Sequence, residues 1–93
     1  GGAPTISKRF DYVTIETKPL PANTSFTIYK KVNGESAWVL VGTYSTTGRT
    51  KQTFPIPNSN VGENIQIQFN FTVSGNTAPS IKSYSIDYVP IRK

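Results

Sequence analysis

The chain has no cysteine, no histidine and no methionine, and each absence excludes something. Without cysteine there is no disulfide to staple a small core, and without Cys or His the usual structural zinc sites cannot be built. The same two absences remove the Ser-His, Cys-His and related nucleophile–base pairs on which most hydrolases depend. Lack of cysteine weakly favours a bacterial, viral or intracellular source over a small eukaryotic secreted scaffold. Lack of methionine means that the sequence opens on Gly1-Gly2, which is best explained as a cleavage scar or the start of an excised piece. Ala, Leu and Glu are scarce, so no helical period emerges. No run approaches the eighteen or so apolar residues of a membrane-spanning helix, and none near the N-terminus has the form of a signal peptide.

Present instead are Val, Ile, Thr, Tyr and Phe, the residues of pleated, half-buried surfaces. The 93 residues make one domain with one core, near the small end of what folds unaided. Ten Lys and Arg against five Asp and Glu give a net charge of +5. The basic residues are scattered from Lys8 and Arg9 through Lys18, Lys30, Lys31, Arg49, Lys51 and Lys82 to Arg92 and Lys93. Scattered charge of this kind reads as solvated surface, with weak attraction to anionic polymers at most and no specific nucleic-acid site.

Along the chain, residues 1–8 read as scar and linker arm, and residues 9–93 as a single β-sandwich domain. A first strand spans 9–18, but its apolar residues fall on both parities: Val13 and Ile15 on one, Phe10 and Tyr12 on the other. Its inward face is therefore open. "PLPANT", residues 19–24, breaks the chain. In 25–45, Asn33-Gly34 is the preferred pair for a type I′ turn and predicts a hairpin. An even loop length would put Phe26 and Ile28 on one face with Val39 and Val41, and Tyr29 on the other with Trp38 and Leu40. A three-residue loop with a bulge would reverse that.

A turn at 46–50 leads to a short strand, 51–59, whose Pro55 and Pro57 place it on a sheet edge. A further turn is expected at Gly62. In "NIQIQFNFTV", residues 64–73, Ile65, Ile67, Phe69, Phe71 and Val73 alternate without exception with Gln66, Gln68, Asn70 and Thr72. A last strand follows at 81–89. Six strands with close-set turns predict an all-β, small antiparallel β-sandwich of about six to eight strands, jelly-roll-like or immunoglobulin-like.

Candidate chemistry is sparse. The five carboxylates, Asp11, Glu16, Glu35, Glu63 and Asp87, read as solvated surface acids. No phosphate loop, calcium cluster, catalytic residue, metal site or cofactor is expected. The sequons at Asn23 and Asn70 are those expected by chance in a chain rich in Asn, Ser and Thr. Two features suit ligand binding. Tyr29 and Trp38 with Lys31 nearby could stack on a sugar ring, although a lone tryptophan is more commonly core. Gln66, Gln68 and Asn70 could hydrogen-bond hydroxyls, although a polar stripe is also what any half-exposed strand shows. The low charge of 64–73 additionally leaves its edge poorly defended against pairing with another protein or a second copy.

The stretches "YKKVNGESAWVLVGTYSTTG" and "FPIPNSNVGENIQIQFNFTVSGNTAPSIKSYSIDYVP" resemble the β-sandwich modules of tailed-bacteriophage tail, baseplate and tail-fibre proteins. Trp38, the 65–72 run, Thr77, Pro79 and the 81–88 strand carry the likeness, over residues 25–90. The resemblance implies a non-catalytic virion component acting in assembly or host-surface contact. Its implied partners are other virion proteins, copies of itself or a host glycan, and it carries over no site residues. The alternative is a carbohydrate-binding module of a bacterial extracellular protein, using Tyr29, Trp38, Gln66, Gln68 and Asn70.

Overall fold

The computed structural model describes residues 7–33, 35–57 and 60–91. Among them are seven strands and no helix: β1 (Lys8–Thr17), β2 (Ser25–Val32), β3 (Val39–Tyr44), β4 (Lys51–Pro55), β5 (Val61–Gly62), β6 (Ile65–Thr72) and β7 (Ile81–Pro90). They form two antiparallel sheets packed as a small β-sandwich. In one, β1 is central, with β7 along one side and β4 and β5 end to end along the other. In the other, β2 lies between β3 and β6.

Strict alternation makes β2 and β6 the frame of the second sheet. Their register runs unbroken from Ser25 opposite Thr72 to Val32 opposite Ile65. That pairing puts Phe26, Ile28, Lys30 and Val32 on one face with Ile65, Ile67, Phe69 and Phe71, and this face meets the first sheet. The main core gathers Val13 and Ile15 of β1, Phe26 and Ile28 of β2, Tyr44 of β3 and Phe54 of β4, with Leu20 closing one end. Phe10, Val32 and Ile56 form a smaller cluster. Tyr44 is wholly buried because its hydroxyl has a partner, the Thr17 hydroxyl at 2.9 Å, so no polar group is stranded.

The mixed parity of the first strand has a simple cause. β1 is bulged between Phe10 and Tyr12, where Asp11 is the extra residue opposite β7. A bulge shifts the side-chain alternation by one. Phe10 therefore points inward before it, and Val13, Ile15 and Thr17 after it, while Tyr12 is turned out to solvent.

The β2–β3 hairpin keeps the expected facing and corrects part of the expected pairing. Asn33 has φ 51°, and Glu35 N–H donates to the Val32 carbonyl at 3.2 Å, which brings the chain back on itself between Val32 and Glu35. Residue 34 itself lies outside the described residues. Near the turn the odd-sum pairing holds, with Tyr29 opposite Leu40 and Lys30 opposite Val39. A register shift between Ile28 and Tyr29 then changes the sum, so that Ile28 faces Gly42 and Phe26 faces Tyr44. The direct partners of Phe26 and Ile28 thus change, but the expected shared face holds: Val39 lies opposite Lys30 on the inward side of β2, and Val41, the bulged residue, packs against the same core as Phe26 and Ile28.

β4 pairs with β1 alone and is an edge, as its Pro55 demands. The end of the 51–59 prediction, residues 58 and 59, lies outside the described residues. Gly62 is a second correction. It belongs to β5, paired with Lys8, where a turn is expected from the sequence. A Cβ built on it would lie 2.5 Å from Val32 Cγ1 and 2.8 Å from Asn33 Oδ1. Close approach of chains, not a turn, is what this glycine provides. Gly62→Ala is expected to cost about 1 to 3 kcal/mol through overpacking. Thermal denaturation checks this, and an unchanged Tm would show that Val32 and Asn33 can yield.

Candidate recognition face

The outward face of the β3–β2–β6 sheet is built by the same register that builds the core. Because Tyr29 is opposite Leu40 on one side and Gln68 on the other, those side chains form one row across the sheet. Thr43, Thr27 and Asn70 form the next row, and Lys31 opposite Gln66 begins a third. Trp38 completes that third row: the Lys31 ammonium lies over its indole ring, 4.9 Å from the centroid. Rows on one face of a strand are about 7 Å apart, two residues at ~3.4 Å each, so the three rows span about 14 Å. All five residues singled out from the sequence, Tyr29, Trp38, Gln66, Gln68 and Asn70, therefore lie on a single face.

Trp38 is 39% exposed, so the commoner fate of a lone tryptophan, burial in the core, is not its fate here. Leu40 beside it is 54% exposed. Indole and leucine together give the face an apolar end, and the Lys31 ammonium holds one ring face by cation–π attraction. At the other end, Gln68 Nε2 donates to Asn70 Oδ1 at 2.8 Å. That bond orients both amides and still leaves a carbonyl acceptor on Gln68 and amide donors on Asn70 for other partners. Aromatic stacking surface beside preset amides is suited to binding a flat, hydroxyl-rich ligand. The sequence pattern had not put Leu40, Thr27 and Thr43 among the candidates, although the Asn33-Gly34 turn already placed Leu40 beside Tyr29.

Among the described residues no group of three or more acids is poised to hold a metal ion. Asp11 pairs with Arg9 at 2.7 Å, and Glu16 approaches Lys51 at 3.7 Å. Glu35 departs from the expectation of a solvated acid, and Lys30 from that of a solvated base. Lys30 is fully buried on the inward face of β2, between Ile28 of the main core and Val32 of the smaller cluster, and donates to Glu35 Oε1 at 2.9 Å. The same oxygen accepts the Val32 N–H at 2.8 Å. The Lys30 hydrogen bond, and after it that of Val32, hold the Glu35 carboxyl below its ordinary range. The pair latches the 33–35 turn to the strand beneath it, a structural role.

No helix among the described residues is long and apolar enough to cross a membrane. Comparison of the chain with protein-family models, with curated proteins and with solved structures finds no match in any of the three.

Proposed function

We propose that this domain is a non-catalytic adhesion module that contacts a surface glycan through the outward face of the β3–β2–β6 sheet. The observation that carries the reading is the convergence of Tyr29, Trp38, Gln66, Gln68 and Asn70 on that one face, with Trp38 turned to solvent. The resemblance of residues 25–90 to phage tail, baseplate and tail-fibre modules supports a parent that is a tail-associated virion protein meeting its host. The same face would serve a carbohydrate-binding module of a bacterial extracellular protein by the same contacts, so the two parents differ in setting and share the chemistry.

The chain's single tryptophan reports on the face directly. Titration with bacterial cell-wall oligosaccharides should shift its emission saturably, and neutral quenchers should reach the free ring. Trp38→Ala should weaken binding by about tenfold or more, the loss of one stacking platform, and leave the fold intact. Gln68→Ala should weaken it less, since one neutral hydrogen bond contributes about 0.5 to 1.5 kcal/mol. Emission unmoved by every wall oligosaccharide would overturn the glycan reading.

A further inference from the structure

A sheet edge that is not to pair needs a device against pairing: charge, proline, a bulge or shortness. Four of the five strands that border a sheet here carry one. β4 has five residues, including Lys51 and Pro55, and β5 has two. β3 has six, and its ladder with β2 is broken by a bulge. β7 bears Lys82, Asp87 and Pro90, and its ladder with β1 is interrupted at two points. β6 has none of these: its eight residues are in unbroken register with β2 and contain no charge and no proline. Among the described residues no strand pairs with its outer edge.

We propose that β6 pairs antiparallel with β6 of a second copy of this chain, joining the two β3–β2–β6 sheets into one six-stranded sheet about a two-fold axis. The main chain is arranged for it. Asn33 N–H donates to the Asn64 carbonyl at 3.1 Å, which makes that pair a hydrogen-bonded one. Alternation then turns the even residues of β6 toward β2 and leaves the N–H and C=O groups of Ile65, Ile67, Phe69 and Phe71 directed away from it. These outward groups can take a strand in place of water, and another β6 offers the same set.

The side chains favour a second copy over an unrelated strand. The chain carries +5, so two copies repel except where charge is absent, and the eighteen residues from 64 to 81 contain no charged side chain. A two-fold pairing also keeps like with like. Centred on Gln68, it sets Ile67 opposite the partner's Phe69, and Gln68 opposite its own equivalent. Centred on Phe69, it sets Gln68 opposite the partner's Asn70. In either register amides meet amides on one face and apolar groups meet apolar groups on the other. The join would also cover apolar surface that the monomer leaves open beside the Phe69–Tyr84 contact: Phe71 is 48% exposed and Tyr84 49%. Its outer face would bring two amide rows side by side, so that each copy extends the recognition face of the other.

Sedimentation across a wide range of concentration, with amide hydrogen exchange read residue by residue, tests this. The expected result is a doubling of mass with rising concentration, accompanied by slowed exchange at Ile67 and Phe69 and no change along β3. The double variant Gln68→Lys/Asn70→Lys places like charges directly opposite each other in both registers. It should weaken the dimer about tenfold or more while leaving Tm in the dilute monomer nearly unchanged. A monomer at every concentration whose Ile67 and Phe69 amides exchange freely would overturn the proposal. So would a dimer protected along another edge, or polymers in place of a closed pair. The amide readout uses the unaltered chain, so the test stands even if the variant folds poorly. The pairing does not rest on the glycan reading: a monomer that binds sugar sinks the first and leaves the second.

Discussion

Phe26→Ala should remove about 3 to 5 kcal/mol of stability, a large share of the roughly 5 to 14 kcal/mol expected of a domain this size. The ring is fully buried and is the hub of the aromatic packing. It stacks on Tyr44 with centroids 4.7 Å apart and planes 12° from parallel, and meets Phe69 edge-on at 5.7 Å. Phe71 lies against it at 5.6 Å. Truncation therefore strips contacts from β2, β3 and β6 together, and it opens a cavity in the main core. At ~4 °C or more per kcal/mol for a domain of this length, Tm should fall by more than about 12 °C. Phe71→Ala is the control from the same cluster. Its ring is about half exposed, so its loss should cost less than half as much. Equal Tm losses for the two variants would show that the sandwich is open throughout and that Phe26 is not its centre.

What could be read from the sequence, and what could not, follows from where the ladders are regular. β6 alternates without a break, so both of its faces were legible, and with them the row of Gln66, Gln68 and Asn70. β1 was not, because one extra residue at Asp11 exchanges its inward parity midway, and a bulge leaves no mark in the pattern beyond an apparent inconsistency. In the hairpin, the Asn33-Gly34 signal located the turn. The odd-sum pairing held only as far as Tyr29, since the bulge lies beyond it. That position is why Tyr29, Leu40 and Trp38 share one face and Phe26, Ile28, Val39 and Val41 the other, as expected, while the direct partners of Phe26 and Ile28 are Tyr44 and Gly42. Gly62 was misread as a turn because a glycine needed for steric clearance and one needed for positive φ look alike in a sequence.

Trp38 shows a different limit. Its place beside Lys31 on the outward face follows from the register near the turn, yet the composition of a small domain argues for a buried tryptophan. Geometry decided against composition because the register near the turn carries Trp38 to the side of Lys31, whose ammonium lies over its ring, and Lys31 points away from the core. Lys30 is the mirror case. Its residue type says surface, but its parity, shared with Phe26, Ile28 and Val32, says core. Parity prevailed because Glu35, brought back by the tight turn, supplies a carboxylate to the buried ammonium.

That pairing sets the last prediction, a charge reversal against an isosteric neutralisation. Lys30→Glu should abolish folding, since it buries a carboxylate against Glu35 with the compensating cation removed. Lys30→Met, which fills the same volume without a charge, should fold but be less stable than the native chain, because it leaves the part-buried Glu35 carboxylate without its cation. The two differ also in acid. The Glu35 carboxyl is held low in the folded state, so its contribution is fully present above the unfolded carboxylate's value of about 4.5 and is lost as pH falls through the lower, folded value. Native protein should therefore lose stability below pH ~4.5 more steeply than Lys30→Met, in which the hydrogen bond that chiefly lowers that carboxyl is gone. Denaturant unfolding at a series of acidic pH values measures the difference. Parallel curves for the two proteins would show that the latch adds nothing in the folded state beyond the volume Lys30 fills, and a folded Lys30→Glu would show that the site admits enough water to keep a carboxylate charged.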